Sequence, residues 1–219
     1  MTAAWNWITE RAVLLALLAA PFIISALVWS RMPEQMPVHW NAAGEVDRYG
    51  AKWEALLLLP AVSVAVSLLF WAIPVLEPRK ENLPNVLRML KPLHLVFALF
   101  MLGMYLIGLR AAQQPGLNIL HWMMPMMLAM FALIGNYFGK IRPNYFVGIR
   151  TPWTLHSEAV WNRTHRLAGR IWVAASLAML PLVFVLRPEV FLWVFLPGLL
   201  AMVLIPVGYS FWLHRRLAG

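Results

Sequence analysis

Residues 12–30 read AVLLALLAAPFIISALVWS, nineteen positions without a charge. A helix needs about 20 apolar residues to cross the hydrocarbon core of a bilayer, and a soluble helix would break such a run with a polar face. Outward from this stretch the pattern repeats, with apolar segments at 55–76, 93–109, 119–138, 171–186 and 190–213. The third is short, and the last is interrupted by Pro197 and Pro206. Pro21, Pro60, Pro125 and Pro181 also lie within or at the ends of segments. Proline removes a backbone donor and kinks helices, so bent helices are expected. Composition agrees with the segments. Of 219 residues, 62% are hydrophobic and 12% charged, with a mean hydropathy of +0.69, whereas globular domains run near 45–50% and about 25%. The sequence predicts an all-α integral membrane protein with six transmembrane helices.

A formal charge of +9 would suggest nucleic acid in a soluble protein. Here it reads as topogenic, because Lys and Arg concentrate on the cytoplasmic side of membrane proteins. With the N-terminus inside, 13 of the 18 Lys and Arg residues fall in cytoplasmic segments. Both termini are then cytoplasmic, and no direct contact with nucleic acid is expected. One long outer loop covers 31–54 and one long cytoplasmic loop covers 139–170. A further cytoplasmic loop, 77–92, carries Arg79 and Lys80, and its 85–90 portion is expected to form a short surface helix. There are no cysteines, which excludes disulfides, thiolate nucleophiles and Cys-ligated metals. The first apolar run is long enough to span, and no small-residue cleavage site follows it, so it is expected to remain as a helix. No Asp, Glu, Lys or Arg lies inside the six segments, which argues against ion-coupled transport.

The outer loop contains MPEQMPVHWNAAGEVDRYGAKWE over 32–54. Pro33 and Pro37 keep its entry extended. Val38, His39 and Trp40, then Asn41-Ala42-Ala43-Gly44, then Glu45, Val46 and Asp47 predict a small hairpin with a four-residue turn. His39 and Asp47 would face each other across it. The candidate ligand-binding residues are His39, Trp40, Asn41 and Asp47. A metal reading would use His39 and Asp47 with His121, but two facing donors fall short of the three a metal site needs. No metal or other cofactor is expected. The simpler reading makes Trp40, Tyr49 and Trp53 anchors at the membrane interface.

The cytoplasmic loop contains NYFVGIRTPWTLHSEAVWNRTHRLAGR over 144–170. Thr151 or Thr154 can cap a helix, with Pro152 in its first turn. Val160, Trp161, Leu167, Ala168 and Ile171 then follow helical spacing into the fifth segment. That placement sets Trp153, Trp161 and His165 near the membrane surface, with Arg163, Arg166 and Arg170 toward headgroups or solvent. A catalytic reading would use His165 or His156 as base and Ser157 or Thr154 as nucleophile. The spacing supports no nucleophile elbow or Ser/His/Asp constellation, and there is no Gly-rich phosphate loop. A non-enzymatic protein with no catalytic residue is expected.

Asn144, Gly148, Arg150, Thr151, Pro152, Trp153 and Thr154, followed by Ser157, Trp161 and His165, resemble the signature of the SdpI family. Pro37-Val38-His39-Trp40-Asn41 with Gly44, Asp47, Lys52 and Pro60 resembles the uncharacterised membrane domain that precedes the signature in longer members. The resemblance implies a two-span domain over 1–91, holding outer loop 31–54, and a four-span domain over 92–219, holding cytoplasmic loop 139–170. It also implies a multi-pass protein of the bacterial inner membrane that confers resistance to a secreted antimicrobial peptide or toxin. The family's namesake also sequesters a transcriptional repressor at the membrane. On that reading the outer loop takes the toxin, the basic tryptophan-bearing cytoplasmic surface takes the repressor, and membrane lipid surrounds the spans. The alternatives are a transport or permeation protein with kinked helices around a cavity, or a metal-dependent membrane enzyme with an outer His/Asp site.

Overall fold

The protein is represented by a computed structural model that describes residues 2–78, 81, 83–114 and 116–218. Arg79 and Lys80, counted above among the cytoplasmic cations, lie outside the described residues. In chain order the elements are helix α1 (Thr2–Val28), a 3-10 turn (Trp29–Arg31), strands β1 (Gln35–Trp40) and β2 (Val46–Ala51), and helices α2 (Lys52–Leu76), α3 (Leu83–Gln113) and α4 (Leu120–Phe138). They are followed by α5 (Pro152–His156), α6 (Glu158–Met179), α7 (Leu182–Val185) and α8 (Pro188–Ala218).

Among the described residues, five helical stretches are long and apolar enough to cross a membrane: Arg11–Arg31, Lys52–Leu76, Val86–Gln113, Glu158–Val185 and Pro188–Leu217. Helix α4, with 19 residues, is not one of them. His121, Pro125 and Asn136 dilute its apolar character. The outer faces of the helices are greasy. Trp193 is 80% exposed, Val75 75% and Leu27 70%, and exposure of apolar surface on this scale requires a non-aqueous neighbour. The chain is helical and suited to a bilayer.

The chain packs as two compact units, Met1–Leu69 with His94–Met126, and Phe70–Leu93 with Met127–Gly219. In the first unit, Ser25 Oγ–H donates to Leu56 O at 2.8 Å. That leaves the Tyr105 hydroxyl to donate to Ser25 Oγ, also at 2.8 Å. Polar bonds of this kind hold helices together where lipid removes the hydrophobic drive. Met32, Met36 and Leu56 form a small core beside them. Strands β1 and β2 pair antiparallel with irregularities between Pro37 and Trp40. The all-α expectation therefore has one exception, and it is the predicted hairpin, with longer arms.

In the second unit, Val86, Met89, Leu90 and Leu93 pack with Phe138, Ile141, Trp161 and Ala168. This corrects the expected surface helix at 85–90. That stretch is the first part of α3, which runs on through Pro92, and Val86, Met89 and Leu90 are buried. The core contacts outweigh the backbone bond that Pro92 cannot make. Helix α6 likewise starts 13 residues ahead of the fifth apolar segment and ends before Pro181. Helices α4 and α6 approach closely, since a Cβ on Gly169 would stand 2.6 Å from Gly135 O. Backbone cannot step aside as a side chain can, so Gly169→Ala should cost about 1–3 kcal/mol, the usual overpacking range. Gly208→Ala is the control, because a Cβ there meets nothing within 4 Å. The thermal midpoint of detergent-purified protein should fall for the first variant and hold for the second; equal midpoints would reject the close crossing.

Candidate functional site

The motif region is built on Asn144, which is fully buried. Its Oδ1 accepts from Phe146 N–H at 2.9 Å and Val147 N–H at 2.7 Å. Its Nδ2–H groups donate to Arg142 O at 2.9 Å and Val147 O at 3.1 Å. One amide thus satisfies four backbone groups of an irregular segment, which would otherwise be costly to bury. Glu77 adds a fifth, its buried carboxylate accepting from Tyr145 N–H at 3.1 Å. The Arg150 guanidinium donates to Tyr145 O.

Next along the chain, Gly148 has φ +117°, in the left-handed region that favours glycine. A Cβ there would lie 2.4 Å from His165 Nε2. Ile149 N–H donates to His165 Nε2 at 2.9 Å. The other nitrogen, Nδ1, lies 2.8 Å from Trp161 O and must carry the proton it donates. The geometry fixes a neutral imidazole in one tautomer. Trp161 stacks on it at 4.1 Å between ring centroids, and Trp161 Nε1–H donates to Ile141 O at 2.7 Å. Trp161 and His165 are 0% and 1% exposed. Within the protein these two rings are core, because each polar atom has a backbone partner inside.

The hydroxyls of the motif are caps. Thr151 and Thr154 form a reciprocal capping box at the start of α5, with Pro152 in the first turn. Thr154 Oγ1–H has Ile149 O at 2.8 Å as acceptor, and Ser157 Oγ accepts from Val160 N–H at the start of α6. His165 has no free nitrogen with which to act as a base. Trp153 is different. It is half-buried, donates from Nε1 to Ser210 Oγ, and lies 5.2 Å from the Phe211 ring and 6.4 Å from the His214 ring. Helix α5 is thereby clipped to α8.

In the other unit, His39 Nδ1 and Asp47 Oδ1 meet at 2.6 Å, with side chains 63% and 40% exposed. Asn41 is absorbed by the turn, its Oδ1 accepting from Ala43 N–H and Glu45 N–H. Gly44 takes φ +80°. Trp40 is half-buried and Tyr49 and Trp53 are exposed. Asn118 pins the hairpin tip through Ala43 O at 2.8 Å. Lys52, buried, pairs with Glu34 at 2.7 Å. The described residues hold no group of three or more His, Asp or Glu that could take a metal, so His121 does not join the His39–Asp47 pair. Sequence reading passed over Glu77, Asn118 and Ser210. Glu77 alone carried a local signal, as the first carboxylate after the apolar run of α2.

The SdpI/YfhL protein family matches residues 140–210, the whole of the motif region and its Ser210 anchor. Residues 140–210 are an SdpI/YfhL-family segment. The preceding DUF1648 domain of unknown function matches residues 16–64, which include the hairpin. The immunity protein SdpI of Bacillus subtilis is 22% identical over 199 residues, 90% of this chain and 92% of that one. An uncharacterised protein of Archaeoglobus fulgidus is 46% identical over 54 residues, 22% of this chain and 29% of its own length. No solved structure matches. Within the SdpI/YfhL segment, His165→Ala should strand the half-buried Ile149 N–H and cost about 1–3 kcal/mol. Limited proteolysis should then cut 142–151 faster than in the wild type. An unchanged melting profile and cleavage rate would show that the imidazole does not hold this segment.

Proposed function

We propose that the chain is a six-span immunity protein of the bacterial cytoplasmic membrane, with both termini inside, that confers resistance to a secreted antimicrobial peptide or toxin. The observation that carries this is the similarity, over nine-tenths of both chains, to a protein named for immunity. On this reading α4 is the sixth span, the hairpin of loop 31–54 faces outward, and 139–170 faces the cytoplasm. The sequence division into 1–91 and 92–219 follows the order of the two family segments. Toxin recognition belongs to His39, Trp40 and Asp47, with Asn41 shaping the turn that presents them. The exposed cations of the inner segment, Arg150, Arg163, Arg166 and Arg170, supply a surface for an acidic cytoplasmic partner such as a repressor. Trp153 is the motif residue placed to link that surface to α8.

An exposed side-chain pair contributes at most about 1 kcal/mol to stability, so His39→Ala and Asp47→Asn should leave the fold intact. A sensitive bacterial host carrying the wild type should survive a panel of amphipathic killing peptides that kill the empty host. Both hairpin variants should lose protection while their membrane levels match the wild type. Trp153→Ala should retain toxin binding and lose any transcriptional response. No protection by the wild type against any peptide, or equal protection by the hairpin variants, would overturn the assignment.

A further inference from the structure

Near the C-terminal end of α8, Phe211, Trp212, Arg215 and Arg216 line an open cavity of about 400 Å³. Each guanidinium lies over the ring four residues earlier, Arg215 at 5.9 Å from the Phe211 centroid and Arg216 at 5.3 Å from the Trp212 centroid. Spacing of four residues puts each pair on one helix face, and cation–π contact holds the cations without neutralising them. No carboxylate lines the cavity, and among the described residues none forms an ion pair with either arginine. The same face continues down the helix as an apolar stripe: Trp193, Leu196, Leu200 and Leu204 are all more than half exposed. The stripe is broken by Gly208, which is exposed and has open space where a side chain would stand. The order along the helix is thus apolar stripe, notch, aromatic collar and paired cations.

We infer that this end of α8 is a binding site for an anionic phospholipid. The lipid phosphate sits on Arg215 and Arg216, and the start of an acyl chain lies in the notch at Gly208. Three features favour a lipid over a soluble anion. The cations stand at the end of a stretch apolar enough to span a bilayer, Pro188–Leu217, which sets them at headgroup depth. Trp212 beside them is of the kind that anchors at that interface. The notch and stripe below are apolar, and offer a soluble anion nothing.

The test uses the full chain purified in detergent, with native mass spectrometry reading the lipid retained from equal mixtures of phosphatidylglycerol and phosphatidylcholine. The wild type should retain phosphatidylglycerol preferentially, and the preference should survive millimolar inorganic phosphate. Arg215→Gln with Arg216→Gln should lower retention about tenfold, the loss of one to two charge-assisted contacts. Gly208→Leu fills the notch while leaving both cations, and should lower retention of the same lipid. This second variant keeps the question open to refutation should the double variant fail to reach the membrane. Equal retention of the two lipids by the wild type, displacement by inorganic phosphate, or retention unmoved by Gly208→Leu would each overturn the site.

Discussion

The second unit depends on the buried imidazole of His165. Its two nitrogens are opposite in role, one accepting from Ile149 N–H and the other donating to Trp161 O, so the ring can lie in the core as a neutral group without an unpaired atom. Because the ring is fixed, the chain at 147–150 is fixed against α6. Because it lies so close to the backbone at Gly148, no side chain fits there. Asn144 and Glu77 solve the same problem for 142–147. Irregular backbone is tolerated in or near a membrane only where protein satisfies it, and these three side chains do so. Much of what looks like a functional signature in the sequence is the means by which a non-helical segment is buried.

The hairpin of the first unit follows the opposite logic. Its backbone is satisfied locally by the ladder, by the Asn41 side chain and by Asn118 at the tip. His39 and Asp47 are left outside, paired and exposed. Nothing in the folding of the hairpin needs that pair, and exposed pairs contribute little to stability. The hairpin thus displays a short bond that stability does not require, on a pinned turn beside exposed Tyr49 and Trp53.

The large features were legible because membrane burial is a one-dimensional signal. Uncharged runs marked the helices, and Asn41 to Gly44 marked a turn through chemistry local to four residues. The errors came where neighbours decide. Arg88, Lys91 and Pro92 make 85–92 look superficial, yet Val86, Met89 and Leu90 find a core supplied by α4 and α6. Trp161 and His165 sit among arginines in sequence, and only the fold shows the two rings enclosed while the arginines take the exposed face of α6. Helix α4 combined a spanning length with His121, Pro125 and Asn136, so its role depends on a bilayer more than on its own composition. Ser210 and Asn118 partner residues 57 and 75 positions away, and no local pattern encodes such pairs.

The motif also separates by what each residue touches. His165 and Trp161 are enclosed, and the loss of either would disturb the core before it disturbed a partner. Trp153 is half-buried and bridges from the capping box of α5 to Ser210, Phe211 and His214 on α8. The capping box leads back through Thr154 to Ile149 O, and Ile149 N–H leads to His165. A contiguous run of side chains therefore joins the end of α8, with its cations and exposed rings, to the buried imidazole. Coupling along such a run requires an element with two arrangements. Helix α5 is the candidate by construction: it is five residues long, capped at its start by its own threonines, and attached to α8 through Trp153 and the Thr151–Ser210 hydroxyl contact. The Trp153 contact is half-buried, whereas the imidazole at the other end of the run is enclosed.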